Sequence, residues 1–510
     1  MATTGARTSN NDDELVNILT DISQPNAPAE ANGKPQPARK RRPSHPAQGN
    51  PPVQSSDSRS STAQAARQPT SAPELSTIQS AESRKYAAAT NEQRLLDNWL
   101  TIQGINLTRH AGSLRPFTKD EFGTGPAAPG EAHIKAVNRF IDSLRIQLDE
   151  MVRWVGAAAS AARREPTGER LRVLLERKQI VSNRVLYVEG IWDFYFDLFV
   201  QRLSSFGERL LSVDRIAANC YEDLYVSIGA AQPTPSLLPF SYAKSGFSPA
   251  TYRRGVPLEG LRFNKNLFPL TMLPQHRLDN VWALSSVLHE VSHNLQADLG
   301  LWEEMPVRIY QRLTAEGRIP PKVAQVWARW HKEMMADMFA LLLGGPAAVE
   351  SLMDVVGRAP ASTMKFNPLG VHPTSYLRVL ISLVLLSRMG FEKTAVDLRR
   401  VWLQLYPRLT PADIPQPIME TFSRASELAV DTMAFQPYKQ FAGKSLTQVL
   451  KFGPREMEIV EQAGRQLASG QESGAVPARF MIGAARFALD NRLATPQAIT
   501  DNFYRTLGRR

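Results

Sequence analysis

"VLHEVSHNLQADLG" (residues 287–300) sets His289 and His293 four residues apart, with Glu290 directly after the first histidine. At 3.6 residues per turn, that spacing puts both imidazoles on one side of a helix, one turn above the other. Val281, Leu284, Leu288, Val291, Leu295 and Leu299 recur at intervals of three and four and predict a buried face. The helix is expected to begin near Asp279 or Asn280, either of which can cap it, and to stop at Gly300. Two imidazoles so placed can hold one metal ion, with Glu290 offset enough to reach a water at an open coordination position. The ordinary alternative is a pair of helix histidines in everyday hydrogen bonds, because a site of three protein ligands still lacks a member.

A candidate for that member lies in "PPKVAQVWARWHKEMMADMFALLLGGP" (residues 320–346). This stretch reads as one helix, with Pro321 in its first turn and a stop at Gly344-Gly345-Pro346. Val323, Val326, Trp330, Met334 and Leu341 mark its buried side, while Glu333 and Asp337, four apart, share a face. Acidic residues this close to an apolar stripe need partners. A metal ion satisfies Glu333, and a histidine N–H satisfies Asp337 as the group that orients a ligand. Otherwise Glu333 is a solvated residue paired with Lys332 or Arg329. Further on, "FNPLGVHPTSYLRVLISL" (residues 366–383) places His372 before Pro373, which is expected in the first turn of another apolar helix carrying Arg378 in its second turn. A loop histidine and an arginine at a helix start, or Tyr376 instead, are donors suited to the oxyanion of a tetrahedral intermediate. Capping a loop and pairing with a surface carboxylate are equally ordinary roles for His372 and Arg378.

HEVSH, then EMMAD with Glu333 forty residues beyond His293, then HPTSYLR, resembles the gluzincin zinc metallopeptidases. Within them the order is most similar to the branch of HtpX-type and CAAX-prenyl-type proteases, over roughly residues 260–390. The resemblance implies one Zn2+ ion held by His289, His293 and Glu333, with Glu290 as general base. It also implies Asp337 orienting a ligand histidine, and His372 or Arg378 holding the transition state. The substrate would be a protein or peptide. The membrane-spanning segments common in that branch have no counterpart in this sequence, so an intramembrane route is not expected.

The 510 residues are 43% hydrophobic, enough for a sizeable core. The expected fold is mainly α: a helical amino-terminal domain, a zincin-like catalytic core with a small edge β element, and a helical carboxy-terminal region. Residues 1–85 are rich in Pro, Ser, Ala and Gln and read as a disordered tail; residues 88–230 read as the helical domain. Residues 231–258 read as a linker or lid, 259–390 as the metallopeptidase core, and 391–510 as the helical end. "RFNKNLFPLTM" (residues 262–272) is expected to hold an edge strand able to pair with an extended substrate.

The basic cluster Arg39, Lys40, Arg41, Arg42 reads as a solubilising cluster in the tail, with a nucleic-acid or targeting patch as the alternative. "DDELVNILTDI" (residues 12–22) reads as a transient helix or a docking segment for a protein partner. The formal charge of +11 admits acidic partners, but no nucleic-acid fold is recognised, which weighs against nucleic acid. One cysteine, Cys220, precludes an intramolecular disulfide. The longest apolar run, residues 379–386, is too short for a bilayer, so a soluble chain is expected. The first twenty residues lack the basic start and apolar core of a Sec-type signal. A cytoplasmic protein is expected, with leaderless export by a specialised secretion or injection system, as a peptidase effector, as the alternative. A helical regulator or scaffold keeping an idle zinc site is the competing non-enzymatic reading. Trp302, Trp327 and Trp330 are expected to pack in the core or line a groove.

Overall fold

The computed structural model describes residues 89–229, 232–408, 413–472 and 474–509. The tail 1–85 with its Arg39–Arg42 cluster lies outside the described residues. Residues 1–101 form one unit, of which the described part enters the helix Asn91–Ser113; residues 102–510 form the other.

The larger unit is built almost wholly of helices. Its first long pair is α1 (Glu131–Arg164) and α2 (Gly168–Val200), folded back on each other across a short turn. The Thr167 hydroxyl accepts from the Arg170 N–H and starts α2. Ile134, Val137, Ile141, Leu144 and Leu148 repeat at helical spacing and form the buried stripe of α1. Helix α3 (Gly207–Ile228) follows.

Among the described residues the stretch expected as a linker or lid carries two of the three strands, β1 (Phe240–Ala243) and β2 (Ala250–Tyr252). The third, β3 (Leu270–Leu273), lies between them, parallel to β1 and antiparallel to β2. This corrects the strand expectation. Only the end of "RFNKNLFPLTM" is extended, and it forms the centre of the sheet rather than an edge. Leu270 and Leu273 are fully buried, and both flanks of β3 are already paired. Among the described residues β1 and β2 each pair with β3 alone. The outer edge of β1 is taken by side chains, with the Ser241 N–H donating to Asp214, the Ser241 carbonyl accepting from Arg202 and the Ala243 N–H donating to Gln201, so the open edge belongs to β2.

Helix α4 (Ser285–Asp298) carries HEVSH and starts five or six residues later than the caps suggested. Gln275–Asp279 and Val281–Ala283 form short separate turns, and Asn280 makes no side-chain cap. The apolar stripe is nevertheless as expected, with Val281, Leu284, Leu288, Val291, Leu295 and Leu299 each at most 5% exposed. The second stretch is two helices, α5 (Pro321–Arg329) and α6 (His331–Gly344), parted at Trp330. Trp330 keeps right-handed backbone angles, but its N–H is shared between the Val326 and Trp327 carbonyls, tightening the chain there. Helix α6 is buried on nearly all sides, with Lys332 its one partly exposed residue. Gly345, at φ 69°, ends it in a conformation that suits glycine. Helix α7 (Ser375–Arg388) starts after Thr374, so Pro373 precedes it rather than sitting in its first turn.

One hydrophobic cluster runs from α3 through α4, α6 and α7 to the final helices α8 (Phe480–Asp490) and α9 (Pro496–Arg509). The segments 259–390 and 391–510 therefore share a core. Among the described residues no helix is long and apolar enough to cross a membrane.

Candidate metal centre

Helices α4 and α6 pack face to face, and the polar side chains at their contact define the site. Leu288, Val291 and Leu295 fix the rotation of α4 by facing the core, which leaves His289 and His293 on the flank towards α6. From α6, Glu333 enters the same space. His289 Nε2 lies 3.1 Å from His293 Nε2, and each is 3.3 Å from an oxygen of Glu333.

Those separations decide what the group can do. A tetrahedral ion bonded at about 2.05 Å to nitrogen and oxygen has ligand–ligand edges of about 3.3 Å. Glu333 meets the two imidazoles with different oxygens, Oε2 towards His289 and Oε1 towards His293, and at these separations the three side chains together can hold a metal ion. Their orientation agrees. Asp337, one turn after Glu333, takes the His289 Nδ1–H at 2.9 Å, which turns Nε2 inward, towards Glu333 and His293 and within 3.2 Å of Arg378 Nη2. Glu333 is 8% exposed and faces the histidines, so the reading of a solvated residue paired with Lys332 or Arg329 does not hold. Arg329 instead donates to the Pro368 carbonyl at 2.8 Å.

Charge follows the geometry. Burial would lift the Glu333 carboxyl, yet His293 and His289 beside it hold it well below the usual carboxylate range. Burial alone would lower His289, but its bonds to Asp337 and Glu333 raise it to about 9. Burial likewise opposes the charge on Asp337, and the Arg378 guanidinium outweighs it and keeps the carboxyl low. Glu290, next to His289, is half-buried and makes no hydrogen bond or ion pair among the described residues. Burial pushes its carboxyl up, moderated by the two histidines.

The third element divides its candidates. His372 remains exposed at the mouth of the site, with Nε2 3.3 Å from Glu333 Oε1. Arg378 is not a free donor. Its Nε and Nη2 grip the two Asp337 oxygens at 2.6 and 2.8 Å, and Nη2 also lies 3.3 Å from Glu333. It therefore acts as a buttress under the ligands, a role that spacing alone did not reveal because its partner sits 41 residues away on α6. Tyr376, two residues before Arg378, projects from the other side of α7. Its ring is buried against Trp402 and Tyr406, away from the ligands. Trp327 and Trp330 are wholly buried core residues, whereas Trp302 is half-buried at the end of α4. His331, although next to the site in sequence, binds the Ala328 carbonyl through Nδ1 at 2.7 Å and stays out of the cluster.

One contact had no signal in the sequence. Asn294, beside His293, donates to Thr251 Oγ1 of β2 at 2.8 Å and ties the sheet's open-edged strand to the site helix. No family model, curated protein or solved structure matches the chain.

Proposed function

We propose that this protein is a zinc-dependent metalloendopeptidase. The observation that carries the reading is the set of mutual distances among His289, His293 and Glu333, which fits one tetrahedral ion bound through two imidazoles and a carboxylate. That donor set, with a fourth position left for solvent, suits zinc in a hydrolytic role. The gluzincin-like order of HEVSH, EMMAD and HPTSYLR supports the same conclusion.

His289, His293 and Glu333 would hold the ion, which when bound acidifies water and polarises a peptide carbonyl. Glu290 takes the proton of the attacking water and passes it to the leaving amine, so its unpaired carboxyl with a raised pKa suits both duties. His372, exposed beside the ligands, donates to the carbonyl oxygen as it gains charge. Asp337 and Arg378 keep the His289 ring in place throughout. An extended peptide added to the open edge of β2 would lie along α4.

The test pairs metal analysis with proteolysis of an unstructured protein such as casein. Purified full-length protein is expected to carry one zinc per chain and to cleave casein. His293→Ala should lose the metal. Glu290→Gln should keep it while cleavage falls by about 10²- to 10⁴-fold. Zinc retained by wild type with no cleavage of any probe would leave an idle metal site and remove the peptidase reading.

A further inference from the structure

Beyond the metal ligands, a second group of side chains surrounds Trp302. The Arg253 guanidinium sits 3.9 Å from the centre of the indole ring, and Lys332 Nζ sits 4.4 Å from it. The ring is fixed from beneath: Trp302 Nε1 donates to Gln296 Oε1 at 2.9 Å, and Gln296 Nε2 donates to the Lys332 carbonyl at 3.2 Å. Gln296 itself is fully buried.

A single cation over a tryptophan is common in folded proteins. Two cations on one ring with no carboxylate between them is a different situation, because they repel each other and both are half-buried. Among the described residues neither Arg253 nor Lys332 forms an ion pair. The nearby acids are engaged elsewhere: Glu333 attracts Lys332 from the next position but makes its close contacts with the histidines and Arg378. Asp298 is taken by Arg254 and by the Tyr221 hydroxyl, and Glu303 and Glu304 are exposed. Burial also brings the Arg253 pKa down to about 10, so its charge is held at a cost that an incoming anion would relieve.

The position relates the group to the candidate active site. Lys332 precedes the ligand Glu333, and Gln296 lies one turn beyond His293 on the same side of α4. Arg253 directly follows β2, the strand with the open edge. With Lys332 one residue from Glu333 and Gln296 one helical turn from His293, a peptide running along β2 would meet this group a few residues from the metal.

We propose that Arg253, Lys332 and Trp302 form a carboxylate-binding subsite that selects peptides bearing an acidic side chain or a free carboxy-terminus a few residues from the scissile bond. The inference rests on the peptidase reading for what the bound peptide undergoes, but the subsite itself is a matter of binding. The arginine fork takes a carboxylate in two hydrogen bonds, the lysine adds a point charge, and the indole holds both cations in place.

The test uses full-length Glu290→Gln protein loaded with zinc, so that binding is read without turnover. The probes are fluorescein-labelled, amide-capped octapeptides carrying Glu or Gln at each position in turn. A neutral octapeptide with a free carboxy-terminus distinguishes the two sources of carboxylate. Glu at one position, or the free terminus, is expected to tighten binding about tenfold. That preference should vanish in Arg253→Gln/Lys332→Gln, whose zinc content and thermal melt should match the parent. Equal binding of Glu and Gln peptides, no peptide binding at millimolar concentration, or a preference that survives the double substitution would each overturn the subsite. So would tighter binding of a single-stranded oligonucleotide that is lost on the same substitutions while the peptides show no discrimination. Casein cleavage by the wild type separates the two claims: protein that cuts casein without discriminating the octapeptides loses the subsite alone, and protein that discriminates without cutting loses the peptidase reading alone.

Discussion

At the scale of single residues, the site depends on groups that would not touch the ion. Arg378 is 12% exposed at its side chain and Asp337 is 8%, so removing either partner leaves a buried charge unanswered. Arg378→Met should cost about 3–5 kcal/mol in urea unfolding, and Arg378→Lys should recover only part of it because an ammonium cannot grip both oxygens. Asp337→Asn should weaken zinc about 10- to 100-fold in chelator competition, since the amide can offer its N–H to His289 Nδ1 and leave the imidazole proton on Nε2, where the ion would bind. Titration gives a further check. In metal-stripped protein His289 is raised to about 9 from an unfolded value near 6.5, so it contributes stability fully below about pH 6.5 that is lost as pH rises through 9. Metal binding must expel that proton. Zinc affinity is therefore expected to climb about tenfold per pH unit below 9 and then level off; a flat profile from pH 7 to 9 would mean that His289 is already neutral.

At the scale of elements, the crossing of α4 and α6 sets the ligand distances. A Cβ placed on Gly344 would come within 2.5 Å of Leu288 Cδ1, and Leu288 is fully buried beside His289. Gly344→Ala should thus push the helices apart, lowering stability by about 1–3 kcal/mol and weakening zinc, both measurable on one sample. Zinc affinity unchanged by this substitution would show that the crossing has slack. What was legible in the sequence is what helical spacing encodes: the stripe from Val281 to Leu299, the facing pair His289 and His293, and Glu333 with Asp337. What was not legible depends on contacts between distant segments. Strand β2 is only three residues long, inside a Pro- and Gly-rich stretch without alternation, and β3 became central only because β1 and β2 close on both sides. The parting at Trp330 and the grip of Arg378 on Asp337 are likewise tertiary, as is the burial of Tyr376 behind Trp402.

At the scale of the whole molecule, the last helix supports the first turns of the site. Tyr504 Oη donates to the Leu278 carbonyl at 2.5 Å and Thr500 Oγ1 to that of Asp279 at 3.1 Å, just ahead of α4. Ile499, Phe503 and Leu507 are wholly buried in the cluster that also holds Leu288 and Leu295. Burying three such side chains is worth roughly 5–9 kcal/mol, a large share of the 5–15 kcal/mol typical of a domain. A chain ending at Thr495 is therefore expected to lose cooperative thermal unfolding and zinc binding together. Retention of both would show that the carboxy-terminal helix is dispensable.

The clasp between Arg378 and Asp337 also bears on biogenesis. Because it steadies the His289 ring through protein contacts alone, the polypeptide is expected to finish its assembly first and acquire its ion afterwards. Simple addition of a zinc salt to the folded, stripped chain should then restore full occupancy with no refolding step, and within the mixing time of a stopped-flow instrument.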